Sequence, residues 1–207
     1  MTTNRSTRTA ATNAVGVILA GGQSTRMGTD KAALRLGDET LLARASRLLQ
    51  AAGCNKIFLS GHRRDDWSGK AIPDESPGAG PVGGIISALL WAAANLPPDA
   101  CLLFVPVDAP LLTPALLTAM LESVSDDGCL ISGSPLPVAL RTSQPVLRQC
   151  ATMNEELRTA RSCSVRRFVE PLSMSRIKPD EAKQLQLVNV NTPAQWEGLL
   201  REFENRT

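Results

Sequence analysis

The chain has no tyrosine, only three tryptophans and four phenylalanines in 207 residues. So few rings leave no row of aromatic platforms on which nucleic-acid bases could stack. A single histidine, His62, sits in the polar run His62-Arg63-Arg64-Asp65-Asp66. That is too little material for a Ser-His-Asp triad or a structural zinc site. The cysteines, Cys54, Cys101, Cys129, Cys150 and Cys163, are odd in number and form no C-x-x-C pair. Scattered thiols without a framework fit a reducing, cytoplasmic setting. An excess of one charge is also missing: 22 Lys and Arg face 20 Asp and Glu, for a formal net charge of +2. A basic nucleic-acid surface of the usual kind is therefore not expected. No apolar run approaches the roughly 18–20 residues that a membrane helix needs. Met1 to Asn13 is rich in Ser and Thr, with Arg5 and Arg8 and no acid. No apolar region or small-residue cleavage site follows, so residues 1–13 read as a disordered tail rather than a targeting peptide.

What is present suits a packed core. Hydrophobic residues make up 43% and charged residues 20%, and the length favours a single domain, taken here as residues 14–207. Val15–Leu19 is a short β-branched run that stops at Ala20-Gly21-Gly22, a buried strand feeding a glycine-rich loop. Residues 40–52 place Leu41, Leu42, Ala45, Leu48 and Leu49 at helical spacing, closed by Gly53. Lys56–Ser60 reads as another strand. Residues 73–84 are too rich in Gly and Pro for regular structure, and an apolar helix is expected over 85–94. Cys101 to Val105 is a further buried strand, ending at Pro106-Val107-Asp108. Thr113-Pro114 and Thr192-Pro193 each supply an N-cap and a first-turn proline, the second with Gln195 at the capping-box position. This alternation predicts an α/β sheet with parallel strand pairs and no internal repeat.

The stretch Leu19-Ala-Gly-Gly-Gln-Ser-Thr-Arg-Met-Gly-Thr-Asp-Lys31 carries the most chemistry. It follows a strand, so its amides lie at the carboxyl edge of the sheet, where open α/β folds bind ligands. Gly21, Gly22 and Gly28 let the backbone approach an anion, and Arg26 and Lys31 add two cations. A triphosphate is the guest this pattern suits. The plainer alternative is a glycine-rich turn with solvated charges. A Walker A loop is excluded, because Thr29-Asp30-Lys31 follows Gly28, and the G-x-G-x-x-G dinucleotide pattern is not matched either.

Every fixed position of that stretch resembles the L-A-G-G-x-S-x-R-M-G-x-D-K signature of the MobA family, the molybdenum cofactor guanylyltransferases. The resemblance continues through Ile72-Pro73-Asp74, Gly80-Pro81-Val82-Gly83-Gly84, Phe104 to Pro110, Pro135 to Leu140 and Val188-Asn189-Val190-Asn191-Thr192-Pro193. It implies a Rossmann-like, three-layer α/β/α nucleotidyltransferase with a mostly parallel central sheet. It also implies Mg²⁺-dependent transfer of GMP from GTP to the terminal phosphate of molybdopterin, with release of pyrophosphate. Partners would be these two substrates, with transient contacts to proteins that deliver or insert the cofactor, and neither nucleic acid nor membrane.

By the same resemblance Arg26 and Lys31 offset phosphate charge and Asp108 holds the metal, as an acid just beyond a buried strand could. Backbone groups of Leu19, Ala20 and Gly21 would meet the base, and Gly22, Ser60, Asp74 and Gly80 would complete the nucleotide site. Cytidylyltransferase relatives tend to carry Ala at position 21, so Gly21 favours guanine. Asn189 and Asn191, two apart on an extended stretch, face the same side and could support a metal or the pterin phosphate. Arg166 and Arg167 could hold the acceptor. Each has a plainer reading: Asp108 and Asp74 as turn residues, the asparagines as turn chemistry before Thr192, the arginines as solvated surface. Val107 stands where the family has Cys, and Leu136-Pro137 departs from its later segment, which leaves the acceptor side more open. Transfer of CMP, transfer to another small phosphate, and a non-catalytic nucleotide-binding module are the rival functions.

Overall fold

Val15–Leu19 forms strand β1, and all five of its residues are buried. The structure, a computed structural model, describes residues 14–21, 30–159 and 163–204. The expected tail at 1–13, and Gly22 and Arg26 with it, lie outside the described residues. A 3₁₀ turn at Lys31–Ala33 leads into a small antiparallel ribbon, β2 (Arg35–Leu36) and β3 (Glu39–Thr40), turning at Gly37 with φ +63°. Helix α1 (Leu41–Ala51) follows; the Thr40 hydroxyl accepts from the Ala43 amide at 3.1 Å. It buries Leu41, Leu42, Ala45, Leu48 and Leu49, the face its periodicity predicts. The chain continues through β4 (Lys56–Ser60), β5 (Lys70–Ile72), α2 (Pro81–Asn95), β6 (Cys101–Pro106) and α3 (Pro114–Glu122). It closes with β7 (Gly128–Ile131), β8 (Val138–Arg141), α4 (Gln144–Thr159), α5 (Val165–Val169), β9 (Met174–Ile177), α6 (Glu181–Gln186) and α7 (Pro193–Glu204).

Seven strands make one sheet in the order β5-β4-β1-β6-β8-β7-β9. β5, β4, β1 and β6 run parallel, β8 runs antiparallel to both its neighbours, and β9 is parallel to β7. Side chains alternate across the sheet, so each face has its own core. Val15, Val17, Leu102 and Phe104 pack with Ile85, Leu89, Val146 and Phe168 from α2, α4 and α5. Ile18, Leu103 and Val105 pack on the other face with Leu42, Leu49, Leu117 and Met120 from α1 and α3. Burying each such side chain contributes roughly 1.5–3 kcal/mol, which makes the two layers the main source of stability. Gly16 allows α1 to lie close on β1: a Cβ there would stand 2.9 Å from Leu49 Cδ1.

The layered α/β architecture with a mostly parallel sheet is as the sequence predicts, but three features differ. The α2 helix begins at Pro81 rather than Ile85, because Gly80, at φ +72°, serves as its N-cap and Pro81 needs no N–H partner at the first position. Pro81 to Gly84 is thus a helical turn, not a loop. The β5 strand, three residues long with only Ile72 buried, has too little apolar signal to stand out. The antiparallel β8 enters between β6 and β7, a pairing that periodicity cannot reveal. No helix among the described residues is long and apolar enough to cross a membrane.

The topology sets the position of the site. From β1 the chain builds outward through β4 and β5, then returns to the opposite side of β1 with β6. The reversal opens a crevice beyond the carboxyl ends of β1 and β6. The Val107 amide donates to the Leu19 carbonyl at 3.2 Å, tying the two exits together.

Candidate active site

Beyond these two exits lies a cleft of about 240 Å³, lined by Leu19, Ala20 and Gly21 from β1 and Pro106, Val107 and Asp108 from β6. Asp30, Lys31 and Ala32, together with Pro81, Leu136 and Asn189, complete its wall. Lys31 enters it because Asp30 caps the 3₁₀ turn, its Oδ1 accepting from the Ala32 amide at 3.1 Å. The Lys31 ammonium then donates to Asp108 Oδ2 and to Asn191 Oδ1, each at 2.7 Å. Both charged side chains are mostly covered, at 16% and 18% exposure, so water screens this ion pair less than one on the open surface.

The asparagine segment is fixed from two directions. The Val190 amide donates to the Asp108 carbonyl at 2.9 Å, with the Val190 side chain buried. Farther on, Gln195 Oε1 accepts from the Asn191 and Thr192 amides, while the Gln195 amide donates to the Thr192 hydroxyl at 3.2 Å. This is the reciprocal capping box expected of Thr192 and Gln195. With Val190 turned inward, Asn189 lines the cleft and Asn191 meets Lys31 there. With the Asn191 oxygen on the ammonium, its side-chain nitrogen has no partner among the described residues and can donate to an anion.

The remaining candidates are distributed more widely. Ser60 is buried at the end of β4, beside Gly21, whose added Cβ would lie 3.9 Å from the Ser60 carbonyl oxygen. Asp74 Oδ1 accepts from the Ser76 amide at 2.9 Å and from the Ser87 hydroxyl at 3.4 Å. The same Ser87 oxygen accepts from the Glu75 amide at 3.0 Å, so one buried hydroxyl on α2 holds the turn that carries Asp74. Neither Ser60 nor Asp74 lines the cleft. Arg167 sits on α5 and donates to Glu156 Oε1 at 3.0 Å. Arg166 lines a separate hollow with Ser134, Pro135 and Arg176. The structure therefore brings Lys31, Asp108, Asn189 and Asn191 together, and leaves the two arginines outside that junction. Ser87 escaped sequence reasoning, since it reads as one more residue of an apolar helix; Asp30 was visible as a fixed position of the signature, but not as the cap of the turn that carries Lys31.

Among the described residues, no three His, Cys, Asp or Glu side chains gather in a way that could hold a metal. Asp30 and Asp108 are the two carboxylates that line the cleft; Asp108 shares the Lys31 ammonium with the Asn191 amide oxygen, and its Oδ1 has no partner among the described residues. Such a hard-oxygen set, with ligand phosphates completing it, suits a magnesium-like cation rather than a transition metal.

Comparison with known proteins places this geometry in a class. The molybdopterin-guanine dinucleotide biosynthesis protein A of Archaeoglobus fulgidus has the same fold, with a TM-score of 0.70 at 16% identity, over 93% of this chain and 100% of that one. A nucleotidyl transferase from Methanothermobacter matches equally, with a TM-score of 0.70 at 14% identity, over 94% and 99%. The fold is thus that of the Rossmann-like nucleotidyltransferases, enzymes that generally use a divalent metal. Within that class the family model of the MobA-like NTP transferase domain matches residues 16–174, and the chain belongs to this family. A molybdenum cofactor guanylyltransferase of Xanthomonas euvesicatoria is 35% identical over 187 residues, 90% of this chain and 94% of that protein.

Proposed function

We propose that the protein transfers GMP from GTP to the terminal phosphate of molybdopterin, forming molybdopterin guanine dinucleotide and pyrophosphate. The observation that carries this reading is the Lys31–Asp108–Asn191 junction at the β1/β6 crevice, in a chain whose relative over nearly its whole length is a molybdenum cofactor guanylyltransferase. An oxygen of the acceptor phosphate attacks the α-phosphorus, and the bond from that phosphorus to the bridging oxygen of the β-phosphate breaks. The electron pair leaves with pyrophosphate. Such chemistry asks for positioning and charge stabilisation more than for covalent catalysis.

The chain's residues divide that work. Leu19, Ala20 and Gly21 offer backbone groups to the base, with Gly22, Ser60, Asp74 and Gly80 supporting the nucleotide. Lys31, with Arg26, neutralises charge on the triphosphate and on the departing pyrophosphate. The Asn191 amide and Asn189 orient the acceptor phosphate, and Arg166 and Arg167 belong to the acceptor side. Asp108 would hold Mg²⁺, which supplies Lewis-acid stabilisation of the phosphate oxygens. Lys31 must share or release Asp108 Oδ2 when it turns to phosphate. We assign the reaction to a single domain over residues 14–207 in the cytoplasm, a reducing setting that suits the buried, unpaired cysteines.

The test is incubation of the purified protein with Mg²⁺, molybdopterin and each nucleoside triphosphate, followed by mass identification of the dinucleotide. Guanine dinucleotide from GTP is expected. A cytosine dinucleotide would replace the base assignment, and nucleotide binding without any product would point to a non-catalytic module.

A further inference from the structure

Arg64 lies in the β4–β5 connection, outside the stretches that resemble the family signature, yet a two-carboxylate ionic network beside the cleft centres on it. Its guanidinium reaches Asp30 Oδ2 at 2.5 Å and grips Asp66 with two hydrogen bonds of 2.8 Å. The Arg64 side chain is only 22% exposed. These two carboxylates hold the guanidinium more firmly in its charged form than a free arginine. The connection is itself anchored: the Trp67 amide donates to the Arg64 carbonyl, and the Trp67 ring, half-buried against the α1 side of the core, donates to the Lys70 carbonyl.

Asp30 is thereby held by both oxygens. Oδ1 caps the 3₁₀ turn through the Ala32 amide and Oδ2 meets Arg64. Lys31 is the first residue of that turn, so fixing the Asp30 carboxylate fixes the direction in which Lys31 leaves the backbone. The other end of the signature stretch rests on the same strand exit: Gly21 lies against Ser60 and Gly61 at the end of β4. The exit of β4 thus supports the backbone on both sides of the phosphate-binding stretch. We propose that Arg64 is a positioning residue, which acts through Asp30 to aim the Lys31 ammonium at the phosphates. This inference rests on the role given to Lys31 under the proposed function.

The test uses the full chain with inorganic pyrophosphate as probe, because pyrophosphate engages Lys31 without the base or the acceptor. Calorimetry should show Arg64→Met binding pyrophosphate about three- to tenfold more weakly than wild type, with Arg64→Lys recovering part of the loss. In a Lys31→Ala background the same substitution should cost less than about twofold, since there is no ammonium left to aim. Hydrogen exchange at the Ala32 amide should accelerate in Arg64→Met while amides of β1 and β6 keep their rates. Unchanged exchange at Ala32, or a full additional loss in the Lys31→Ala background, would overturn the positioning role. If wild-type protein failed to bind pyrophosphate, the assignment of Lys31 to phosphate would fall, and with it the aim given to Arg64. Exchange at Ala32 would then report only whether Arg64 holds the turn.

Discussion

Lys31 has two short hydrogen bonds and one positive charge, and this shapes what its removal should do. Contact between a charged amine and a phosphate is worth about 1.5–3 kcal/mol, so Lys31→Ala should lower kcat/KM for GTP by about ten- to a hundredfold. The ratio of GTP to CTP use should not change, because the role proposed for the ammonium is at the phosphates and not at the base. A changed ratio at an unchanged rate would show that the role is misassigned. Asp108→Asn keeps the shape and the backbone bond to Val190 but turns a carboxylate into a weak neutral ligand. It should fold normally and lose nearly all turnover; near wild-type rates across a Mg²⁺ titration would take Asp108 out of the metal site. Gly21 offers a cleaner separation of fold from function. Among the described residues an added methyl meets nothing closer than the Ser60 carbonyl at 3.9 Å, an ordinary contact, so this part of the free protein accommodates alanine. Any penalty in Gly21→Ala must then come from the ligand. Thermal stability should match wild type, and competition kinetics should show GTP use falling more than CTP use, by about 1–3 kcal/mol of discrimination. Equal losses for both nucleotides would mean that the base is read elsewhere.

Where elements meet, the close fit of α2 against β4 makes a sharper demand on glycine. A Cβ on Gly84 would stand 2.2 Å from Ser60 Oγ and 3.4 Å from Leu19 Cδ2, at a point where helix and strand exit touch. Gly84→Ala should therefore destabilise the fold by about 1–3 kcal/mol, seen as a lower Tm, and Ser60→Ala in the same chain should restore much of it. Stability that stays at the wild-type level in Gly84→Ala would show that α2 can shift freely. This junction also shows where sequence reasoning stops. The α1 face, the Thr113 cap and the Thr192–Gln195 box were legible because each is written in one short unbroken stretch of sequence. The start of α2 was not: Gly80 and Pro81 look like breakers in a run of glycines and prolines, yet together they supply the N-cap and the first position of the helix. In the site, Asp108 was legible from the end of its strand and Lys31 from its motif. The bond from Lys31 to Asn191 spans 160 positions in sequence, and no local pattern could announce it. Ser87 and Arg64 escaped for the same reason, since each matters through a partner brought close by the fold.

Across the whole molecule the two core layers share one sheet, and this bears on how the protein comes apart. Strand β1 gives Val15 and Val17 to one layer and Ile18 to the other, and β6 divides Leu102 and Phe104 from Leu103 and Val105 in the same way. Neither layer can lose its packing without stripping one face of the two central strands, so the layers should unfold together. The cysteines report on both. Cys54, Cys101 and Cys129 are buried in the layer of α1 and α3, Cys150 in the layer of α2 and α4, and Cys163 is only half-buried. Burial pushes the Cys54 and Cys150 thiols up to about 12 and Cys101 to about 11, and raises Cys129 as well. Almost no thiolate is therefore available at these four positions in the folded state near neutral pH. Alkylation of the native protein at pH 8 should modify Cys163 first, with the other four reacting only through unfolding. In denaturant, peptide-resolved labelling should find Cys150 and the trio of the opposite layer exposed at one common rate. If Cys150 were labelled well before Cys54 and Cys101, the α2–α4 layer would be opening by itself, and the shared sheet would not be what couples the two halves of the core.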